Sequence, residues 1–266
     1  MEFRRIAVIG VGHLGGTLVQ GWIGPGGVAA PTFVLSRRRI GLLQRWKESG
    51  CSIASTNAEA VEGADCVLLA VKPQQAEEVL REIGGSVRDA RAIVSTVTGL
   101  PLARIRELAP GPGVVRAMPN TAAAIGQSMT CLASLPGDEA ALAEVQALFD
   151  RIGRTMVISE DLMDAATVLG ACGVAYALRF LRAMTQGGIQ IGFSSEVAQM
   201  VAAQTLRGAA SLVAETGSHP EAEIDKVTTP MGITIAGLNE MEHNGFSSAL
   251  IRGICASFER IGRPKR

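Results

Sequence analysis

The stretch Arg5-Ile6-Ala7-Val8-Ile9-Gly10-Val11-Gly12-His13-Leu14-Gly15-Gly16 constrains this chain more than any other. An apolar run of strand length breaks at Gly10, and a helix-compatible segment follows from Thr17 through Val19 to Trp22. That order of strand, glycine turn and helix is what a dinucleotide-binding βαβ unit needs. Gly10 supplies the tight turn, Gly12 lets backbone approach a pyrophosphate, and Gly15 lets helix and strand pack closely. The anion then sits against unpaired N–H groups at the helix start. Glycines also occur in ordinary turns, so the rest of the chain has to support the reading.

With 266 residues, 47% of them hydrophobic, the chain has enough apolar surface for two domains or one large one. Lys+Arg and Asp+Glu are both 25, so there is no basic excess to meet a phosphate backbone or an anionic membrane. Neither nucleic acid nor a membrane is expected as a partner. The cysteines, Cys51, Cys66, Cys131, Cys172 and Cys255, are odd in number and contain no CxxC pair, as suits reduced thiols in the cytoplasm. The charged N-terminus, with Glu2, Arg4 and Arg5, runs straight into the glycine loop without a cleavage-like site and reads as a first strand. The most apolar later segment, Ala165 to Leu178, is too short to span a bilayer and reads as a buried helix.

Gly24-Pro25-Gly26-Gly27 breaks the chain, and Pro31 to Leu35 reads as a second strand ending in Ser36-Arg37-Arg38-Arg39. An acidic residue here would accept from a ribose 2′-hydroxyl; a hydroxyl and a guanidinium cluster instead suit a 2′-phosphate, so NADPH is expected over NADH. Otherwise the arginines are a solvated loop. Ile40 to Gly50 is helical in pattern. Asn57 either contacts the cofactor or caps the helix that follows it. Cys66 to Val71, Ala92 to Val97 and Val114 to Met118 are apolar runs typical of strands covered on both faces, and a helix is expected from Gln75 to Ile83. The alternation predicts a mostly parallel sheet with its ligand at the carboxyl ends of the strands. Those ends are Gly10 to Gly15, Ser36 to Arg38, Ala70 to Pro73, Thr96 to Thr98 and Met118 to Thr121. Lys72 is a phosphate or substrate contact or merely solvated, and Asn120 is a polar group at the nicotinamide end or a turn residue.

Ala70-Val71-Lys72-Pro73-Gln74, Arg116-Ala117-Met118-Pro119-Asn120-Thr121, Val227-Thr228-Thr229-Pro230-Met231-Gly232-Ile233-Thr234 and the glycine loop together resemble the pyrroline-5-carboxylate reductases. The resemblance covers nearly the whole chain. It implies NAD(P)H-dependent reduction of a cyclic imine to proline, the imino acid being the small-molecule partner. It also implies a Rossmann-type α/β domain over residues 1–159 and an all-α domain over 160–266 that interlocks subunits as dimers, often assembled further. By the same resemblance Ile9, Gly10, Val11, Gly12, His13 and Leu14 line the pyrophosphate, and Ser36 and Arg38 the adenosine phosphate. Asn57, Ala70, Val71, Lys72, Pro73, Thr96, Val97 and Thr98 also touch the cofactor. Thr234 matches the threonine near the imine nitrogen and nicotinamide. Thr229, Gly232 and Ile233 match the loop holding the substrate carboxylate, and Glu160 falls near a substrate-side position.

From Asp161 the strand pattern stops. Leu162 to Met184 is apolar with an interruption expected at Gly187-Gly188, and Ser194-Ser195 starts a further helix toward Gly217. Helices apolar on so many sides imply a subunit interface or burial within one monomer. Pro230 to Thr234 opens a helix ending at Asn244-Gly245. Its free N–H groups, with the hydroxyls of Thr229 and Thr234, suit a carboxylate, while Thr228 or Thr229 is alternatively an N-cap. The three histidines, His13, His219 and His243, form no metal-ligand spacing and no nucleophilic triad, so no metal is expected. A hydride transfer asks the protein mainly for positioning and exclusion of water, with Thr234 orienting the imine.

The chain departs from the family pattern in places. The serine-glycine-serine-glycine-proline-alanine-tyrosine stretch is here Gly170 to Tyr176, with Cys172 and Val174, and the proline after the motif's threonine is Ala122. Paired glycines of the substrate loop are Met231-Gly232, and Ile233 replaces a small or hydroxyl residue. These changes bear on which imine is reduced, leaving a related cyclic imine or a non-catalytic NADP-binding paralogue as alternatives.

Overall fold

A computed structural model describes residues 3–24 and 32–261. The break expected at Pro25-Gly26-Gly27, the strand residue Pro31 and the terminal Glu2 lie outside the described residues. Two compact units divide the chain, one formed by Met1–Val174 with Arg260–Arg266 and the other by Ala175–Glu259.

The first unit is built on an eight-stranded sheet. Strands β1 (Arg5–Ile9), β2 (Thr32–Ser36), β3 (Ser52–Ile53), β4 (Cys66–Leu69), β5 (Ala92–Ser95) and β6 (Gly113–Met118) are mutually parallel, in the order β3-β2-β1-β4-β5-β6. That is the doubly wound order with its switch point between β1 and β4. Two further strands, β7 (Ser128–Ser134) and β8 (Gly153–Val157), extend the sheet; β7 runs antiparallel to β6, and β8 runs parallel to β7. The mostly parallel sheet is as expected; β7 and β8 are additions that mixed polar and apolar residues hide from a periodicity argument.

The helices of this unit are α1 (His13–Ile23), α2 (Gln44–Lys47), α3 (Asn57–Val61), α4 (Pro73–Ile83), α5 (Leu102–Leu108), α6 (Glu139–Asp150) and α7 (Met163–Ala166). Alternation along β1 sends Ile6 and Val8 into one core, with Leu18, Trp22 and Phe149 of α1 and α6, and Ala7 and Ile9 into the other, with residues of α3, α4 and α5. Trp22 stacks on Phe33, meets Phe149 edge-on and donates Nε1–H to the Leu148 carbonyl at 2.9 Å, so its one polar atom is satisfied in the core.

Several boundaries differ from expectation. Ile40 to Gly50 is a 3₁₀ turn (Ile40–Leu43) followed by the single turn α2, Gly41 weakening a continuous helix at its start. Helix α4 starts at Pro73 rather than Gln75, because proline is preorganised for the first helical position. β4 and β5 stop at Leu69 and Ser95, leaving Ala70 to Val71 and Thr96 to Val97 to turn out of the sheet. Asn57 is not a cap: Thr56 is, its hydroxyl accepting from the Glu59 amide at 3.1 Å.

The helical part continues with α8 (Gly173–Gln190), α9 (Ser195–Thr216), α10 (Pro220–Val227), α11 (Ile233–His243) and α12 (Phe246–Ile261). Gly187-Gly188 does not interrupt α8. A Cβ at Gly188 would lie 3.0 Å from the Ala198 Cβ, so this glycine serves close approach of α8 and α9. Tyr176 donates its hydroxyl to Ser257 Oγ at 2.7 Å, and Phe180 meets Phe246 with ring centroids 5.7 Å apart. Few side chains of this unit are buried. Leu178, Met200 and Ile251 are among the large apolar residues left more than half exposed. The continuous helical run Glu160–Gln190 is 31 residues, well beyond the expected Ala165 to Leu178, and is long and apolar enough by composition to cross a membrane. Its most apolar window is only 17% buried within the chain.

Candidate dinucleotide site and substrate loop

In-register pairing places Ser36, Ile9, Leu69, Ser95 and Arg116 side by side across β2, β1, β4, β5 and β6. Five of the strand ends singled out in the sequence therefore share one edge of the sheet. The amides of Gly10 and Val11 donate to the Ser36 carbonyl at 2.9 and 3.2 Å, Ala70 N–H to the Ile9 carbonyl at 2.8 Å, and Thr96 N–H to the Leu69 carbonyl at 3.0 Å. The backbone that leaves the sheet is thus stitched strand to strand just where a ligand would lie.

The glycine loop fits a dinucleotide. Gly10 has φ +94°, and a Cβ on it would lie 2.7 Å from both the Ala70 carbonyl oxygen and Val71 Cγ1. A Cβ on Gly15 would lie 2.7 Å from the Gly10 carbonyl oxygen. Around Gly12, in contrast, the nearest atom stands 3.9 Å from such a Cβ, so backbone at this point is open to an incoming group. No side chain caps α1, and its first-turn amides, those of His13, Leu14 and Gly15, remain for an anion. His13 contributes its carbonyl, which accepts from the Thr17 hydroxyl at 2.8 Å.

At the end of β2, Ser36 is buried and donates its hydroxyl to Asn57 Oδ1 at 2.7 Å, while Asn57 Nδ2 donates to Glu82 at 2.8 Å. Arg37 is half-buried and Arg38 and Arg39 exposed, none with an ion-pair partner among the described residues. Three guanidinium groups follow the second strand where an acidic residue would receive a 2′-hydroxyl, and they fit a 2′-phosphate. On the far side Lys72 is exposed, and Thr96 is anchored by its hydroxyl to the Leu69 carbonyl at 3.1 Å; the Val97 amide donates to Ser95 Oγ at 3.2 Å, and Thr98 stands half-buried beyond it.

Two further residues of the first unit take on defined jobs. Asn120 is buried, its Oδ1 accepting from the Ala122 amide at 3.0 Å and its Nδ2 reaching the Gly170 carbonyl at 3.3 Å. Gly170 lies in a π-helical segment, Thr167–Cys172. Glu160 Oε1 accepts both from the Leu102 amide at 2.7 Å and from Arg116 Nη1 at 3.1 Å. Arg116 went unassigned in the sequence, although an arginine inside the run Val114-Val115-Arg116-Ala117-Met118 was the available signal.

The substrate-loop residues gather in the second unit. Thr229 to Gly232 is a tight turn closed by Gly232 N–H to the Thr229 carbonyl at 2.9 Å, so α11 begins at Ile233 rather than Pro230. Thr228 is not its cap: it closes α10, with its hydroxyl on the Ile224 carbonyl. Gly232 stands at the N-cap without any side-chain cap. Thr229 and Thr234 are exposed, and Met231 and Ile233 project almost wholly into solvent, at 102% and 93%. Met231 is the one non-glycine residue of positive φ, +58°, among those described.

Residues 160–263 match the family model for pyrroline-5-carboxylate reductase dimerisation, and residues 5–99 match that for NADP oxidoreductase, coenzyme F420-dependent. Pyrroline-5-carboxylate reductase 2 of Dictyostelium discoideum is 39% identical over 277 residues, covering 98% of this chain and 93% of that protein. The chain belongs to the pyrroline-5-carboxylate reductase family. Pyrroline-5-carboxylate reductase 1 of the same organism is 42% identical over 268 residues, 96% of this chain, and the chain spans about half (49%) of its length. Among solved structures, a Streptococcus pyogenes 1-pyrroline-5-carboxylate reductase superposes with a TM-score of 0.84 at 26% identity over 97% of both chains. The Plasmodium falciparum pyrroline carboxylate reductase, solved with NADP bound, has the same fold, with a TM-score of 0.84 at 24% identity over 98% of both chains. As in other pyrroline-5-carboxylate reductases, a Rossmann-type α/β domain precedes a helical dimerisation domain here.

Proposed function

We propose that this chain reduces 1-pyrroline-5-carboxylate to proline with NADPH. The observation that carries the proposal is the open, uncapped glycine loop flanked by three unpaired arginines, in a chain that matches reductases of this name over nearly its full length. NADPH, when bound, supplies the hydride that adds to the imine carbon, and the nitrogen gains a proton.

The residues of this chain bind and orient. The amides of His13, Leu14 and Gly15 hold the pyrophosphate, and Arg37 and Arg38 the 2′-phosphate. The Thr96 to Thr98 loop lies at the strand ends where the nicotinamide half extends. In the substrate loop, the free amides at the start of α11 take the carboxylate and the Thr234 hydroxyl orients the imine. A hydroxyl does not titrate near neutrality, so Thr234 positions rather than protonates. A second copy of the chain covers the exposed apolar helices of the 160–263 region, forming a homodimer, and this accounts for the lipid-like composition of Glu160–Gln190 without a bilayer. The cysteines are all free thiols, which fits the cytoplasm.

Met231 and Ile233 support a second reading, in which the preferred substrate is a related cyclic imine with more apolar surface. Consumption of NADPH by the purified protein on 1-pyrroline-5-carboxylate tests the first reading. Faster turnover of a larger or more apolar cyclic imine would select the second, and no turnover on any imine despite NADPH binding would overturn both.

A further inference from the structure

Arg116 is buried, at 6% exposure, and its Nη2 is the one buried side-chain nitrogen or oxygen without a hydrogen-bond partner among the described residues. A buried unsatisfied donor costs free energy that an apolar residue of similar size would not, so its place in the sheet calls for a reason. The bond Arg116 does make is informative. Its Nη1 meets Glu160 Oε1, the same oxygen that receives the amide of Leu102, first residue of α5. The segment between Ser95 and Leu102 is the loop that carries Thr96 to Thr98. At its near end this loop is fixed by the Leu69 carbonyl and Ser95 Oγ. Its far end is fixed by Glu160, and Glu160 by Arg116.

We propose that Arg116 is a positioning residue of the reductase: acting through Glu160, it sets the start of α5 and hence the conformation of the Thr96–Thr98 loop that receives the nicotinamide half of NADPH. This rests on the dinucleotide reading above. Glu160 is thereby occupied inside its own unit as a strut between β6 and α5. The geometry is directional, since both N–H groups converge on one carboxylate oxygen. A charge-assisted pair of this kind tolerates neither neutral replacement nor a shorter, single-point ammonium well.

The test is a pair of dissociation constants measured on the full-length protein without turnover. NADPH reports the whole cofactor, and adenosine 2′,5′-bisphosphate reports only the half bound by the glycine loop and the arginines. In Arg116→Met, NADPH binding is expected to weaken about tenfold, the equivalent of ~1.4 kcal/mol, with bisphosphate binding changed less than about twofold. Glu160→Gln retains an acceptor oxygen, and its selective loss is expected to be smaller. Arg116→Lys should fall between wild type and Arg116→Met. If Arg116→Met does not fold, the Lys and Gln variants read the same ratio. Equal weakening of both ligands, or no change in either, overturns the proposal. Failure of the bisphosphate to bind the wild-type protein would instead overturn the dinucleotide reading itself.

Discussion

The hydroxyl of Ser36, at the end of β2, points at Asn57 Oδ1 from 2.7 Å, and Asn57 in turn holds Glu82 of α4 at 2.8 Å. Three consecutive βα units are thus joined by a polar chain that begins at Ser36, the residue before Arg37-Arg38-Arg39. Each of these groups is satisfied by the others, and the arginines beyond them are left unpaired. A turn fixed at its base with free guanidinium groups at its tip is preorganised for a dianionic phosphate.

Replacing Arg37 and Arg38 together with Ala is expected to weaken NADPH by about tenfold or more, two charge-assisted contacts being lost, and to change NADH by less than about twofold. Titration of both cofactors by fluorescence checks this. An unchanged preference would remove the arginines from the 2′-phosphate.

Thr234→Ala is expected to lower turnover by about tenfold to a hundredfold through loss of orientation at the imine, with NADPH affinity intact. Steady-state kinetics paired with cofactor titration separates the two effects. Wild-type turnover in the variant would exclude Thr234 from the site.

The turn before α11 gives two neighbouring substitutions of opposite sign. Met231→Gly removes a side chain from the left-handed region, where a non-glycine residue costs ~1–2 kcal/mol, partly offset by ~0.5–1 kcal/mol of added chain freedom in the unfolded state. Its melting temperature is expected to equal or exceed that of the wild type. Gly232→Ala would place a Cβ 2.5 Å from Thr229 Oγ1 and 2.9 Å from the Thr229 carbonyl oxygen, and is expected to melt lower. Melting curves of the two variants, run side by side, decide.

Helices α4 and α5 are clamped by Arg104, whose Nε and Nη2 donate to the two Glu77 oxygens at 3.0 and 2.7 Å. The Arg104 hydrogen bonds, with Arg81 also in contact, hold the Glu77 carboxyl down to about 2. A depressed carboxylate contributes stability that is fully present above its unfolded-state range and is lost as pH falls toward 2. Glu77 is 41% exposed, so water and salt reduce the effect. Between pH 5 and pH 2–3 the wild type is expected to lose slightly more melting temperature than Glu77→Gln; identical losses would show that the clamp carries no pH dependence.

The parts of this structure that could be read from the sequence are those in which one local rule dominates. β1, Gly10 and α1 emerge in the expected order because an apolar strand, a glycine turn and a helix pattern coincide within twenty residues. β7 escaped because Ser128 and Thr130 are buried polar residues that satisfy each other, 3.2 Å apart, and so break the apolar pattern of a covered strand; β8 escaped because its residues are largely exposed and mixed in polarity. Gly187 and Gly188 read as a helix break because sequence cannot distinguish a glycine that ends a helix from one that lets another helix approach. Arg116, Glu160 and Leu102 are far apart in the chain, and their convergence on one carboxylate oxygen is a property of the folded sheet alone.

The large apolar side chains that Glu160–Gln190 and α9 turn toward water have a consequence for the living protein. In the homodimer proposed above, a second copy is their cover, and each folded chain would draw part of its resistance to unfolding from the abundance of its own kind. A cell that makes less of this protein would hold fewer catalysts, and each would be more readily unfolded and degraded, so output would fall more steeply than expression.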